Sequence, residues 1–145
     1  MKKTIWFDMD GTIADFYGVD NWLDYLVNGD TFPYLAARPL CNFSLLARYL
    51  HKVQKAGWEI GIISWTSKGG SEEYNVAVEA AKRLWLARHL PTIAWDRVYI
   101  VRYGTSKIAT CGGGILFDDE EGNRKEWGMG AYSPDKILEI LKKIS

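Results

Sequence analysis

The stretch IWFDMDGTIADF, residues 5–16, constrains the fold more than any other part of the chain. Three apolar residues, Ile5, Trp6 and Phe7, run straight into Asp8, and Asp10 follows ahead of Gly11 and Thr12. With Thr4 in front, the run TIWF reads as one buried strand. A buried strand that stops in two carboxylates is either ending in a turn or holding those acids in place. The rest of the chain decides between the two.

The same pattern recurs. WEIGIIS (58–64), RVYIV (97–101) and GILF (114–117) are further apolar runs of strand length, and GMGAY (128–132) holds a short fifth. Helical periodicity lies between them. In NFSLLARYLHKVQKAG, Phe43, Leu46, Leu50 and Val53 recur at spacings of three and four, and Gly57 stops the helix. Ser71 caps a longer helix with Glu72 and Glu73 in its first turn, Tyr74, Val78, Ala81 and Trp85 on its buried face, and Pro91 beyond its end. Ser133-Pro134-Asp135 starts a last helix that turns Ile137, Leu141 and Ile144 inward. Strands alternating with helices predict an α/β fold: a mostly parallel sheet with helices on both faces, in three layers. A chain of 145 residues fits one such domain, 1–145. Residues 15–41 stand apart as a small insertion, helical around 20–28. They carry Asp15, Asp20, Asp24 and Asp30 against Arg38 alone, with Phe16, Tyr17, Trp22, Tyr25, Phe32 and Tyr34 among them.

Composition excludes several classes of protein. With 48% hydrophobic and 25% charged residues, the chain is globular rather than disordered. A net charge of zero and an acidic insertion speak against a nucleic-acid partner. No run approaches the length of a membrane span, and MKKTIWFD has too short an apolar stretch for a signal peptide. Cys41 and Cys111 lack metal-type spacing and read as reduced thiols of a cytoplasmic protein. Nothing in the sequence sets an oligomeric state.

In an open parallel sheet, ligands bind beyond the carboxyl ends of the strands. Here the first run ends in Asp8, the second in Ser64 and the fourth in Asp118 and Asp119, and Lys107 follows the third in the loop YGTSKIAT. Carboxylates that close repel unless a cation sits among them. Hard oxygen ligands that leave room for water and phosphate suit Mg²⁺. The residues therefore predict a Mg²⁺ site that handles an oxyanion. Asp8 and Asp10 would point the same way from an extended backbone, one to attack an electrophile and the other to donate or accept a proton. Gly11 permits a tight turn whose exposed N–H groups cradle phosphoryl oxygens. Ser64 donates to such an oxygen, and Lys107 offsets the charge of nucleophile and phosphate. In IISWTSKG the hydroxyl is either Ser64 or Thr66; we choose Ser64 because the apolar run stops there, which leaves Trp65 and Thr66 as loop residues near the phosphate.

At this point DMDGT resembles the DxDGT nucleophile motif of the haloacid dehalogenase superfamily. Ser64, Lys107 and Asp118-Asp119 follow it in that superfamily's order, so the resemblance spans nearly the whole chain. It implies a Rossmann-like fold with an inserted cap. It also implies that Asp8 is the nucleophile, becoming a phospho-aspartate, and a Mg²⁺ ligand. Asp10 would be the general acid/base, with its backbone carbonyl also on the metal. The acidic pair would supply the third ligand, Asp119 directly and Asp118 behind it or through a water. A carboxyl at position 10 favours water as the final acceptor and hence a phosphatase, since the dehalogenases lack an acid there and the ion-pumping ATPases have Thr. DMDGTIADF further resembles the 5′(3′)-deoxyribonucleotidase branch, and DDEEGNRKEW resembles a DDxxxNxxEW pattern of small nucleotidase-like members, in which Asn123 would hold the acidic loop. The insertion is shorter than the helical cap of the larger nucleotidases.

The expected activity is thus Mg²⁺-dependent hydrolysis of a small phosphomonoester, first of all a nucleoside 5′-monophosphate. Two other readings compete. A nucleic-acid end phosphatase needs basic surface near the site, and Arg38, Lys68 and Arg102 offer little of it. A non-enzymatic phosphate-binding or signalling module would keep a phosphoryl group on Asp8 for hours. Lys68 competes with Lys107 as the phosphate-side cation. Glu120 and Glu121 read as an acidic surface turn, His51 and His89 as packing or surface residues, and the glycine run at 112–114 as a turn. The insertion's aromatics read first as packing against the sheet edge.

Overall fold

The computed structural model describes residues 3–145. A five-stranded, all-parallel sheet in the order β5-β4-β1-β6-β7 forms its centre: β1 (Thr4–Phe7), β4 (Glu59–Trp65), β5 (Arg97–Val101), β6 (Ile115–Phe117) and β7 (Ala131–Tyr132). The strand carrying the two acids at its end is the middle one, flanked by β4 and β6. The sheet is Rossmann-like, with helices on both faces.

The alternation of side chains along the strands sorts the core into two layers. Ile5 and Phe7 lie level with Ile60 and Ile62. With Phe117 they pack against α3 (Phe43–Lys55) through Leu46, Leu50 and Val53, and against α7 (Ile137–Ile144) through Ile137 and Leu141. Trp85 and Leu86 of α4 (Glu72–His89) join the same cluster. On the other face, Trp6, Ile63, Leu116 and Trp127 form a smaller cluster under α5 (Lys107–Cys111) and α6 (Glu121–Trp127). Gly61 faces Trp6 across the β1–β4 pair, and a Cβ there would stand 2.6 Å from the indole, so only glycine leaves room for that ring.

The insertion is tied off by a two-stranded antiparallel neck, β2 (Ala14–Asp15) against β3 (Arg38–Pro39). Between these lie α1 (Trp22–Val27) and α2 (Phe32–Ala36). Phe16 and Tyr34 pack onto Tyr74, Val78 and Ala81 of α4, and the Trp85 indole donates to the Ala37 carbonyl at 2.8 Å, so the insertion rests on α4. α1 has no buried residue and leaves Leu23 and Val27 exposed.

Several local expectations change. β4 runs one residue further, through Trp65, because Trp65 still pairs with Val101. Ser64 is therefore inside the strand and Thr66 is the first residue beyond it. Lys107 opens α5 rather than lying in a loop; the Ser106 side chain caps that helix by accepting from the Ala109 amide at 3.2 Å. The acidic turn at 118–120 leads directly into α6. Among the described residues, no helix is long and apolar enough to cross a membrane.

Candidate active site

The carboxyl ends of β1, β4 and β6 meet in a cavity of ≈ 360 Å³, walled by Phe16, Tyr17, Trp22 and Tyr34 of the insertion and by Trp65 and Tyr103 of the sheet side. Asp8 is 7% exposed, and its amide donates to the Phe117 carbonyl at 2.9 Å, which keeps the first acid in line with the sheet after β1 itself has ended. Gly11 then turns the chain at φ 79°, and a Cβ at that position would collide with the Asp119 carboxylate. Glycine is required twice over here, for the left-handed backbone and for the close approach.

Asp8, Asp118 and Asp119 each offer a carboxylate oxygen, and these oxygens lie within 4.8 Å of one another. Lys107, only 3% exposed, donates to Asp8 Oδ1 at 3.1 Å and to Asp118 Oδ2 at 2.6 Å. Thr12 completes the frame: its hydroxyl donates to Asp8 Oδ2 at 3.0 Å and accepts from the Asp119 amide at 3.1 Å. Asp118 is fully buried; both its oxygens are taken, Oδ2 by Lys107 and by Asn123 at 3.2 Å, and Oδ1 by the Glu120 amide at 2.9 Å. Asn123 thus holds the acidic loop. The Asp119 carboxylate is less committed, with only Thr12 Oγ1 at 3.5 Å among these groups.

Burial, and then the neighbouring Asp8 charge, hold Asp118 and Asp119 above the ordinary carboxylate range. Burial pushes the Lys107 ammonium down, but the Asp8 and Asp118 charges outweigh it and keep its pKa above the ordinary lysine value. When all three carboxylates are ionised, one ammonium leaves two negative charges uncompensated, the charge of one divalent cation. All the donor atoms are hard oxygens, so the residues fit Mg²⁺, with Asp8 and Asp119 best placed to bind it and Asp118 held behind them by Lys107. The Asp10 carboxyl lies outside this trio. Burial, opposed by Lys82, raises its pKa.

The other site residues divide by their partners. Lys82 of α4, 1% exposed, donates to Asp10 Oδ2 at 2.9 Å, to Ser64 Oγ at 2.7 Å and to the Trp65 carbonyl at 2.7 Å. The Ser64 hydroxyl is thereby engaged with protein. The Thr66 hydroxyl, equally buried, has no hydrogen-bond partner, although the Thr66 amide donates to the Val101 carbonyl at 2.8 Å. A buried hydroxyl without a partner is costly, and this one lines the cavity. Trp65 is fixed by its indole N–H, which donates to the Thr105 carbonyl at 2.9 Å, and Lys107 Nζ lies 5.1 Å from its ring centre. Lys68 also lines the cavity, with Nζ 5.7 Å from the Tyr103 ring centre.

All nine residues singled out from the sequence therefore surround one cavity or its metal-type cluster. Sequence reasoning missed Lys82 and Tyr103. For Lys82 a signal existed: with Val78 and Trp85 it falls at spacings of four and three on the buried stripe of α4. The chain matches no protein-family model and no curated protein.

Proposed function

We propose that the protein is a Mg²⁺-dependent phosphomonoester hydrolase of the haloacid dehalogenase type that works through a phospho-aspartate at Asp8. The observation that carries the reading is the Asp8 carboxylate, buried at the end of the central strand, clamped by Lys107 and Thr12 beside two further carboxylates, and opening into a cavity. A strand-end turn would not place a buried ammonium, a buried acid and a half-buried one around one aspartate. Mg²⁺ bound by Asp8 and Asp119 would bring the anionic phosphate and the anionic nucleophile together and stabilise charge on the transferring group.

In this mechanism an Asp8 oxygen attacks phosphorus in line. Asp10 gives its proton to the leaving oxygen as the P–O bond breaks, a role that burial favours by raising its pKa against the opposing Lys82 charge. The resulting Asp10 carboxylate then takes a proton from water, which attacks the acyl phosphate and regenerates Asp8. Lys107 stays charged throughout and balances the phosphoryl oxygens. The Thr66 hydroxyl is free to donate to one of them, whereas Ser64 anchors Lys82.

The substrate is a small phosphate ester, with a nucleoside 5′-monophosphate as the first choice. Flat aromatic walls suit a planar leaving group, and the acidic insertion repels a polynucleotide backbone. A cytoplasmic location suits a chain with two cysteines of no metal-type spacing, read as reduced thiols. Phosphate release from a panel of nucleoside monophosphates and sugar phosphates, with Mg²⁺ and with chelator, tests the reading. Loss of release on chelation and in Asp8→Asn supports it, and full activity of Asp8→Asn overturns it.

A further inference from the structure

Lys82 has no role in the chemistry just described, yet it is one of the most deeply buried charged groups in the protein. An ammonium has three N–H donors, and here three acceptors lie at 2.7–2.9 Å: Asp10 Oδ2, Ser64 Oγ and the Trp65 carbonyl. Its hydrogen-bonding capacity is therefore spent on the protein, which leaves no donor for a substrate. The Tyr34 ring of the insertion lies against it, with Nζ 5.3 Å from the ring centre, and shields it further.

The three acceptors come from two separate pieces of the site. Asp10 belongs to the turn after β1, and Ser64 and Trp65 to the end of β4, immediately before Thr66. Burying a lysine is costly unless it is paired and hydrogen-bonded, and a core that needed only volume at this position would be served by Met or Leu. We infer that Lys82 is a positioning residue: it locks the Asp10 carboxyl through Oδ2 against the end of β4, so that Oδ1 meets the leaving-group oxygen of a phosphate held beside Thr66. The inference rests on the phosphatase reading. It assigns Lys82 to the proton-transfer half of the reaction and not to phosphate binding, which falls to Lys107 and Thr66.

The test is the leaving-group dependence of the first step. A nucleoside 5′-monophosphate expels an alkoxide and needs the proton from Asp10, whereas para-nitrophenyl phosphate expels a stable phenolate and does not. Leaving-group release is followed in a rapid-mixing experiment with saturating Mg²⁺, for the wild type, Lys82→Met and Lys82→Gln. General acid catalysis contributes about 100-fold or more, so Lys82→Met loses about 100-fold on the nucleotide and less than about 5-fold on the aryl ester, with KM nearly unchanged on both. Lys82→Gln keeps two N–H donors in the same space; it shows the same selective loss in smaller measure and serves where Lys82→Met does not fold. Equal losses on the two substrates, or a loss confined to KM, overturn the positioning role while leaving the phosphatase reading intact. A wild type that releases neither leaving group overturns the phosphatase reading, and this inference with it.

Discussion

Replacing Lys107 by Met separates the electrostatics of the site from its chemistry. Lys107 is 3% exposed and bonded to Asp8 and Asp118, themselves 7% and 0% exposed, so solvent screens the pairs very little. Met fills most of the same volume but leaves both carboxylates without their cation. Breaking a buried pair in this way costs about 3–5 kcal/mol. For a chain of this length that corresponds to a fall in Tm of roughly 6–20 °C. The cost depends on pH. In the variant, the folded-state pKa of Asp118, already raised by burial and the Asp8 charge, loses the opposing Lys107 ammonium and rises further, so the folded state holds a proton that the unfolded state has lost. Stability then falls as pH rises from the ordinary carboxylate range toward neutrality. In the wild type Lys107 remains charged over the whole interval and adds no slope of its own. Guanidinium unfolding of both proteins, free of divalent ions, is the assay. The difference between them is expected at full size at about pH 8 and at less than about half of that at about pH 5, as Asp118 becomes neutral. A difference below about 1 kcal/mol at the higher pH, or one that does not change with pH, refutes the claim that this ammonium holds the acid cluster together.

Two further outcomes follow from the same geometry. Thr66→Val removes a buried hydroxyl that has no partner, so the free protein is unchanged or slightly more stable, while Ser64→Ala strands a Lys82 donor and costs about 1–3 kcal/mol; thermal melts of the two, together with KM for the phosphate ester, check this, with KM rising for Thr66→Val. Burial and the Asp8 charge hold Asp118 and Asp119 above the ordinary range, so protons compete with a metal there; millimolar Mg²⁺ therefore raises Tm more at about pH 8 than at about pH 5.5, as differential scanning fluorimetry would show.

The central strand and its two acids were legible because an apolar run that ends in charge anchors that charge on a rigid edge, and the parallel sheet followed from regular alternation. Periodicity also placed α3 and the buried face of α4. Short elements were not legible. α5 and α6 have five and seven residues, too few for an amphipathic repeat to show, so Lys107 read as a loop residue. α2 was hidden by Pro33 near its start. Choosing between Ser64 and Thr66 by the end of hydrophobicity chose the residue inside the strand, because Trp65 still pairs in the sheet although its side chain faces the cavity rim. Lys82 was missed because a lysine within a helical pattern reads as solvated. The acceptors that make its burial tolerable come from residues 10, 64 and 65, and only the fold brings them together.

Trapping the phosphorylated residue asks directly whether Asp8 is the nucleophile. The protein is mixed with substrate and Mg²⁺, quenched in acid during turnover and reduced with borohydride, which converts an aspartyl phosphate to homoserine; the peptide spanning residues 3–16 is then sequenced by mass spectrometry. Conversion is expected at Asp8 and not at Asp10. Steady hydrolysis with Asp8 unconverted, or conversion at another residue, would contradict a phospho-aspartate at Asp8.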